Sequence, residues 1–252
     1  MNHSDVMEMK EKQNFRQPNQ GVTMVELLVT MVVALLALGA MYSTFLNQHK
    51  SYVVQEETVA MNQNLRIALF YMQREIRMAG CDPTGDANAG ITIGEAKAAS
   101  IRFSEDVTDG AGGNPDGDVT DPNEDITYSL DGNRNLIRTI RYIDGGGANV
   151  VVPSVVAQNI DAIDFVYLDG ASPPNVLNDY TGAGAVPAGS EGQIRSVEIT
   201  IVARTGNNTL ASPNNTTYSN QRLRPIFVPG PQDDNVSRRR LTYAIKCRNL
   251  GL

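Results

Sequence analysis

The chain has 252 residues, enough for one large domain or two small ones around a substantial core. Its 28 acidic and 21 basic side chains leave a formal net charge of −7, which excludes nucleic acid as the default partner. The two cysteines, Cys81 and Cys247, and the two histidines, His3 and His49, form no CxxC or Cys/His cluster, so neither a zinc site nor a redox motif nor a cofactor is read.

Residues 22–46 read VTMVELLVTMVVALLALGAMYSTFL and carry one charge, Glu26. A helix of about 25 such residues crosses a hydrocarbon core of about 30 Å. Lys10, Lys12 and Arg16 precede it. By the positive-inside bias they keep residues 1–21 cytoplasmic and send the rest across the membrane. A secretory signal would be shorter and followed by a small-residue cleavage site. Here the run Gln20-Gly21-Val22-Thr23-Met24-Val25-Glu26 stands at its start, with a polar leader upstream.

That arrangement resembles the class III signal of type IV prepilins. The resemblance implies that a prepilin peptidase cuts between Gly21 and Val22 on the cytoplasmic face and N-methylates the new terminus, leaving the helix attached. Val22 departs from the phenylalanine most often found there. It also implies that Glu26 pairs with the terminal amine of a neighbouring subunit and sets axial register as subunits leave the bilayer. An uncleaved anchor with Glu26 in the headgroup region is the competing reading.

From Leu46 no proline or glycine interrupts the chain until Gly80, so the helix is predicted to continue. Leu65, Ala68, Leu69, Met72 and Ile76 form one helical stripe, with Arg66, Gln73, Arg74 and Arg77 off it. Gly80 as a cap and Pro83 beyond it place the end near Met78 or Ala79. Residues 22–46 are thus the transmembrane half of the helix, 47–79 the amphipathic half, and 80–252 an exported head.

In the head the period changes to two. Residues 126–130, the turn Asp131-Gly132-Asn133 and residues 136–143 predict a β-hairpin. Further strands are expected at 91–93, 100–103, 150–156 and 163–168. Two more carry the clearest alternation: Val197, Ile199, Ile201 and Ala203 in one, Leu241, Tyr243, Ile245 and Cys247 in the other. The expected fold class is α+β, a pilin fold with an antiparallel sheet on the amphipathic half-helix. Loops at 82–90, 105–125, 169–192 and 205–220 would form the outward surface. Cys81 and Cys247 are expected to form a disulfide tying the last strand to the helix end, with two free thiols as the alternative.

QREIRMAGCDP, SLDGNRNLIR, NIDAIDFVY, RSVEITIVART and RRRLTYAIKCRNL, spread over the mature chain, resemble PilW-like minor pilins. The resemblance implies a low-abundance subunit that primes assembly with other pilins at or near a filament tip. It also implies the inner-membrane assembly machinery as partner. A minor pseudopilin of type II secretion is the rival, separable by the neighbouring genes.

Three other classes compete. Asn114, Asp116, Asp118 and Asp121 form an acidic loop of the kind that ligates calcium, but without the spacing of an EF-hand, so a solvated loop is preferred and no metal is assigned. Arg238, Arg239 and Arg240, with Arg222 and Arg224, would make a DNA-binding patch only if they shared a face. Strand alternation instead points Arg239 away from its neighbours. No GxSxG, HExxH or phosphate loop is present, so no catalytic residue is read.

Overall fold

The computed structural model describes residues 21–178, 184–210, 212–230 and 235–251, and the leader expected at residues 1–20 lies outside them. The chain divides into two units, Met1–Ser51 and Tyr52–Leu252. Helix α1 (Met24–Met78) begins in the first and ends in the second. Every described residue of the first unit is exposed, its valines, leucines and Phe45 included. Contiguous apolar exposure on this scale is what a lipid or protein neighbour covers.

In the second unit α1 buries Met61, Leu65, Ala68, Met72 and Ile76, with Leu69 packed against the same core. This is the stripe its spacing predicts. The helix stops where expected: Gly80 has φ +78°, and the N–H of Cys81 donates to the carbonyl of Met78 at 2.8 Å. A left-handed residue just past the last turn costs least as glycine.

Five strands follow in a meander: β1 (Ile91–Ala96), β2 (Ser100–Ser104), β3 (Asp125–Leu130), β4 (Leu136–Ile143) and β5 (Asn149–Ala157). They form one antiparallel sheet in that order. The hairpin read from SLDGNRNLIR is present, with Leu130 opposite Leu136 and the carboxylate of Asp131 accepting the N–H groups of Asn133 and Asn135. β6 (Ile160–Leu168), β7 (Ser196–Arg204) and β10 (Arg238–Lys246) form a second antiparallel sheet, ordered β10-β7-β6. The head therefore holds two main sheets, not one. Phe103, Tyr128, Phe165, Tyr167 and Leu136 join the helix stripe in a single core.

Two expectations about the head are corrected. β7 is buried on both faces: Glu198, Thr200 and Val202 are covered as well as Val197, Ile199 and Ile201. The cover comes from β8 (Tyr218–Ser219), which lies inside the loop expected at 205–220, and from the residues after it as far as β9 (Pro225–Phe227). Arg222 pairs with Glu198 at 2.8 Å, and Asn220 donates to Asp164 at 2.9 Å. Paired polar groups can be buried, so alternation in sequence did not mark an exposed face. The 105–125 loop, expected outside, buries both its ends: Glu105, Asp106 and Glu124 are all under 9% exposed.

Candidate functional site

The segment around the N-terminal end of α1 is the first candidate. Gly21 has open space where a Cβ would stand, and Val22 is 70% exposed, so the bond between them is accessible. Thr23 precedes the helix; its Oγ1 accepts the N–H of Glu26 at 3.2 Å and its carbonyl accepts that of Leu27 at 3.1 Å. Thr23 is thus an N-cap with Glu26 three positions on, a T-x-x-E pattern legible in the sequence. Glu26 lies in the first turn, where a carboxylate is favoured by the helix dipole, one turn from the residue that cleavage would make N-terminal. Beyond it, α1 is long and apolar enough to cross a membrane.

In the head, the arginines named as a basic patch are each engaged, and alternation sorts them as predicted. Arg239 reaches α1 at Asn62 Oδ1, 2.8 Å, while Arg238 and Arg240 turn to Asp161 and to the carbonyl of Ser219. Arg222 is held by Glu198 and the backbone N–H of Arg224 by Asn220. The five do not assemble into one cationic surface.

The expected bridge between Cys81 and Cys247 is absent; both are free thiols. Cys247 is buried against the core, and burial pushes its thiol up to about 12. Cys81 is raised by burial and then by Glu105, Asp106 and Asp82. The tie between the chain's last residues and the helix end is made instead two and three residues on. Asn249 Nδ2 donates to the carbonyl of Met78 at 3.2 Å, and Leu250 lies over Gly80, where a Cβ would meet its Cδ2 at 2.6 Å. The side chain in contact with the helix end is that of Leu250.

A polar cluster lies where α1 meets the first sheet. Arg138 donates to both oxygens of Glu75 at 3.0 Å, and the Tyr128 hydroxyl donates to the same carboxylate. Glu105 lies beside them, lining a groove of about 790 Å³ with Ile67, Tyr71, Met78, Val107 and Val155. Its Oε2 is buried without a hydrogen bond. Burial first, then Glu75 and Glu124, raise its pKa to about 7, while Arg138 and Arg74 oppose the shift. The folded state therefore holds this proton more tightly than the unfolded chain does, so stability falls as pH rises from the unfolded value, 4.5, to about 7 and is level above. Discounted for water in the open groove, the loss is about 1–2 kcal/mol. Glu105→Gln is expected to raise the melting temperature at pH 8 and to leave it nearly unchanged at pH 4.5, followed by circular dichroism of the detergent-solubilised chain. An equal effect at both pH values would contradict this.

The acidic loop assembles as well. Carboxylate oxygens of Asp116, Asp118 and Asp121 all lie within 4.8 Å of one another; Asn114 is exposed. Asp121 has its pKa raised, by burial first and then by Asp116, Asp118, Asp109 and Asp106. Gly110, at φ +73°, lets it approach: a Cβ there would lie 2.4 Å from Asp121 Oδ1.

Comparison with known proteins places these features in a class. Residues 16–42 match the family described as the prokaryotic N-terminal methylation motif, which takes in Gly21, Val22 and Glu26. The chain is thus an α+β protein with a long apolar N-terminal helix, antiparallel sheets and an N-terminal methylation motif. Among solved structures it is similar to a type IV-like pilin from Thermus thermophilus, with 13% sequence identity, 76% of this chain and 98% of that chain covered, and a TM-score of 0.46. No curated protein sequence matches it.

Proposed function

We propose that this chain is a subunit of a type IV filament, a minor pilin of the PilW-like kind that primes or joins assembly at or near the tip. The observation that carries the reading is the methylation motif at residues 16–42, set on an accessible Gly21-Val22 bond and an apolar half-helix exposed on every side as far as residue 51. In this proposal residues 1–21 are a cytoplasmic leader removed by prepilin peptidase. Residues 22–46 hold the subunit in the inner membrane until assembly, and the head is exported. In the filament the same apolar surface packs on the helices of other pilins, major and minor, so one set of side chains serves two solvents in turn. Glu26 of one subunit neutralises the methylated amine on Val22 of another.

Intact mass and N-terminal sequencing of the chain extracted from membranes test the processing step. The expected product starts at methylated Val22. A product that retains residues 1–21 would overturn the proposal.

A further inference from the structure

The loop between β2 and β3 contains more acid than its hydrogen bonds explain. Besides the carboxylates of Asp116, Asp118 and Asp121, it contains Asp106, which is 0% exposed. One oxygen of Asp106, Oδ2, accepts the N–H of Gly117 at 3.1 Å and the hydroxyl of Thr84 at 3.2 Å. The first of these holds the Asp106 carboxylate against the residue between Asp116 and Asp118. Its other oxygen, Oδ1, is buried with no donor, and so is Oδ2 of Asp121. Among the described residues no ion pair reaches Asp106, Asp109, Asp116, Asp118 or Asp121. Buried acceptors are nearly always satisfied by protein, ordered water or an ion, and among clustered carboxylates a cation is the partner that also offsets their mutual repulsion. Glu124, by contrast, is fully engaged, accepting the N–H groups of Val107, Thr108 and Asp121. It holds the loop closed without needing a cation.

We propose that the β2–β3 loop binds a divalent cation of calcium size, through Asp116, Asp118 and Asp121, with buried Asp106 completing the negative site behind them. The donor set favours calcium over magnesium: calcium takes about six to eight oxygens in flexible geometry, whereas magnesium demands a near-ideal octahedron and keeps several of its waters. The three carboxylates lie within 4.8 Å of one another, close enough to share one calcium ion. Carboxylate and backbone oxygens are also the donors a hard cation prefers. The bound ion would pin a loop that packs on the end of α1, where the N–H of Asp106 donates to the carbonyl of Cys81 at 2.7 Å.

The test is thermal unfolding and titration calorimetry of the full chain in detergent micelles, after removal of metals with a chelator. CaCl₂ is expected to raise the melting temperature with a midpoint at or below about 1 mM, the range of extracellular calcium modules, and MgCl₂ is expected to act far more weakly. The double variant D116N/D121N keeps the carbonyl-type acceptors that the loop uses, including the one that receives the N–H of Asp118 from residue 116. It is expected to fold and to weaken the calcium response by about tenfold or more. No calcium-dependent shift in the folded wild-type chain would overturn the proposal. So would an unchanged shift in D116N/D121N, or an equal shift from NaCl at matched ionic strength.

Discussion

Glu26→Ala is expected to leave the chain in the membrane and to remove it from filaments. The substitution makes α1 more apolar, so insertion does not suffer; an ionised carboxylate at mid-bilayer costs roughly 2.5–3.5 kcal/mol on insertion scales. What disappears, under the proposed pairing, is the attraction to the amine of another subunit, about 4 kcal/mol at 4 Å for an effective dielectric near 20. If half of that survives as net stabilisation, incorporation falls by about thirtyfold. The ratio of the chain in sheared filaments to the chain in membranes measures it. Because Glu26 also occupies the first turn of α1, a separate control is needed. Thr23→Val deletes the cap to the Glu26 N–H, at about 1 kcal/mol of helix stability, while keeping the carboxylate. Incorporation close to wild type in T23V and lost in E26A assigns the effect to charge. Normal incorporation of E26A would remove the pairing from the mechanism.

Asp161→Ala is expected to cost the head about 3–5 kcal/mol, the largest effect of any single head substitution considered. The Asp161 side chain, at the start of β6, is fully buried. Oδ2 accepts from Arg238 Nε at 2.6 Å, and Oδ1 faces Arg134 at 3.2 Å and Arg204 at 3.9 Å. Those arginines come from the β3–β4 turn, the end of β7 and the start of β10, so one carboxylate joins a hairpin of the first sheet to two strands of the second. Arg238 is 2% exposed and Arg204 11%, so deleting the carboxylate takes a shared partner from cationic groups in a medium that solvates them poorly. Arg134 is 56% exposed, and Arg134→Ala is expected to cost under about 1 kcal/mol. Denaturant unfolding of the three proteins checks the order. Similar losses for D161A and R134A would mean that the node behaves as a surface pair.

Local features were legible. The Leu65 to Ile76 stripe, the stop at Gly80, the Asp131 hairpin and the strands up to β7 all follow from residues within a few positions of one another. Thr23 and Glu26, three positions apart, are equally local. Less accessible was the role of each polar residue. NIDAIDF gives no sign that Asp161 faces three arginines while Asp164 meets Asn220, 56 residues on. The β8–β9 cover on β7 was hidden because a polar, glycine-poor strand face reads as solvent until its partner is known. The pairing of Cys81 with Cys247, free thiols in the structure, is a question of the same kind: it needs two side chains to meet, and sequence says nothing of that.

The amino-acid sequence by itself determined the long helix and its apolar half, the methylation motif with Gly21, Val22 and Glu26, and the antiparallel character of the head. Periodicity, capping and cleavage signals are written in neighbouring residues and survive without a fold. Only the tertiary structure decided that the strands divide into two sheets, that Asp161 joins them, that Leu250 and not Cys247 covers the helix end, and that three loop carboxylates converge. Each of these depends on contacts between distant segments, whose geometry exists only after the core has closed around Tyr128, Phe165 and the α1 stripe.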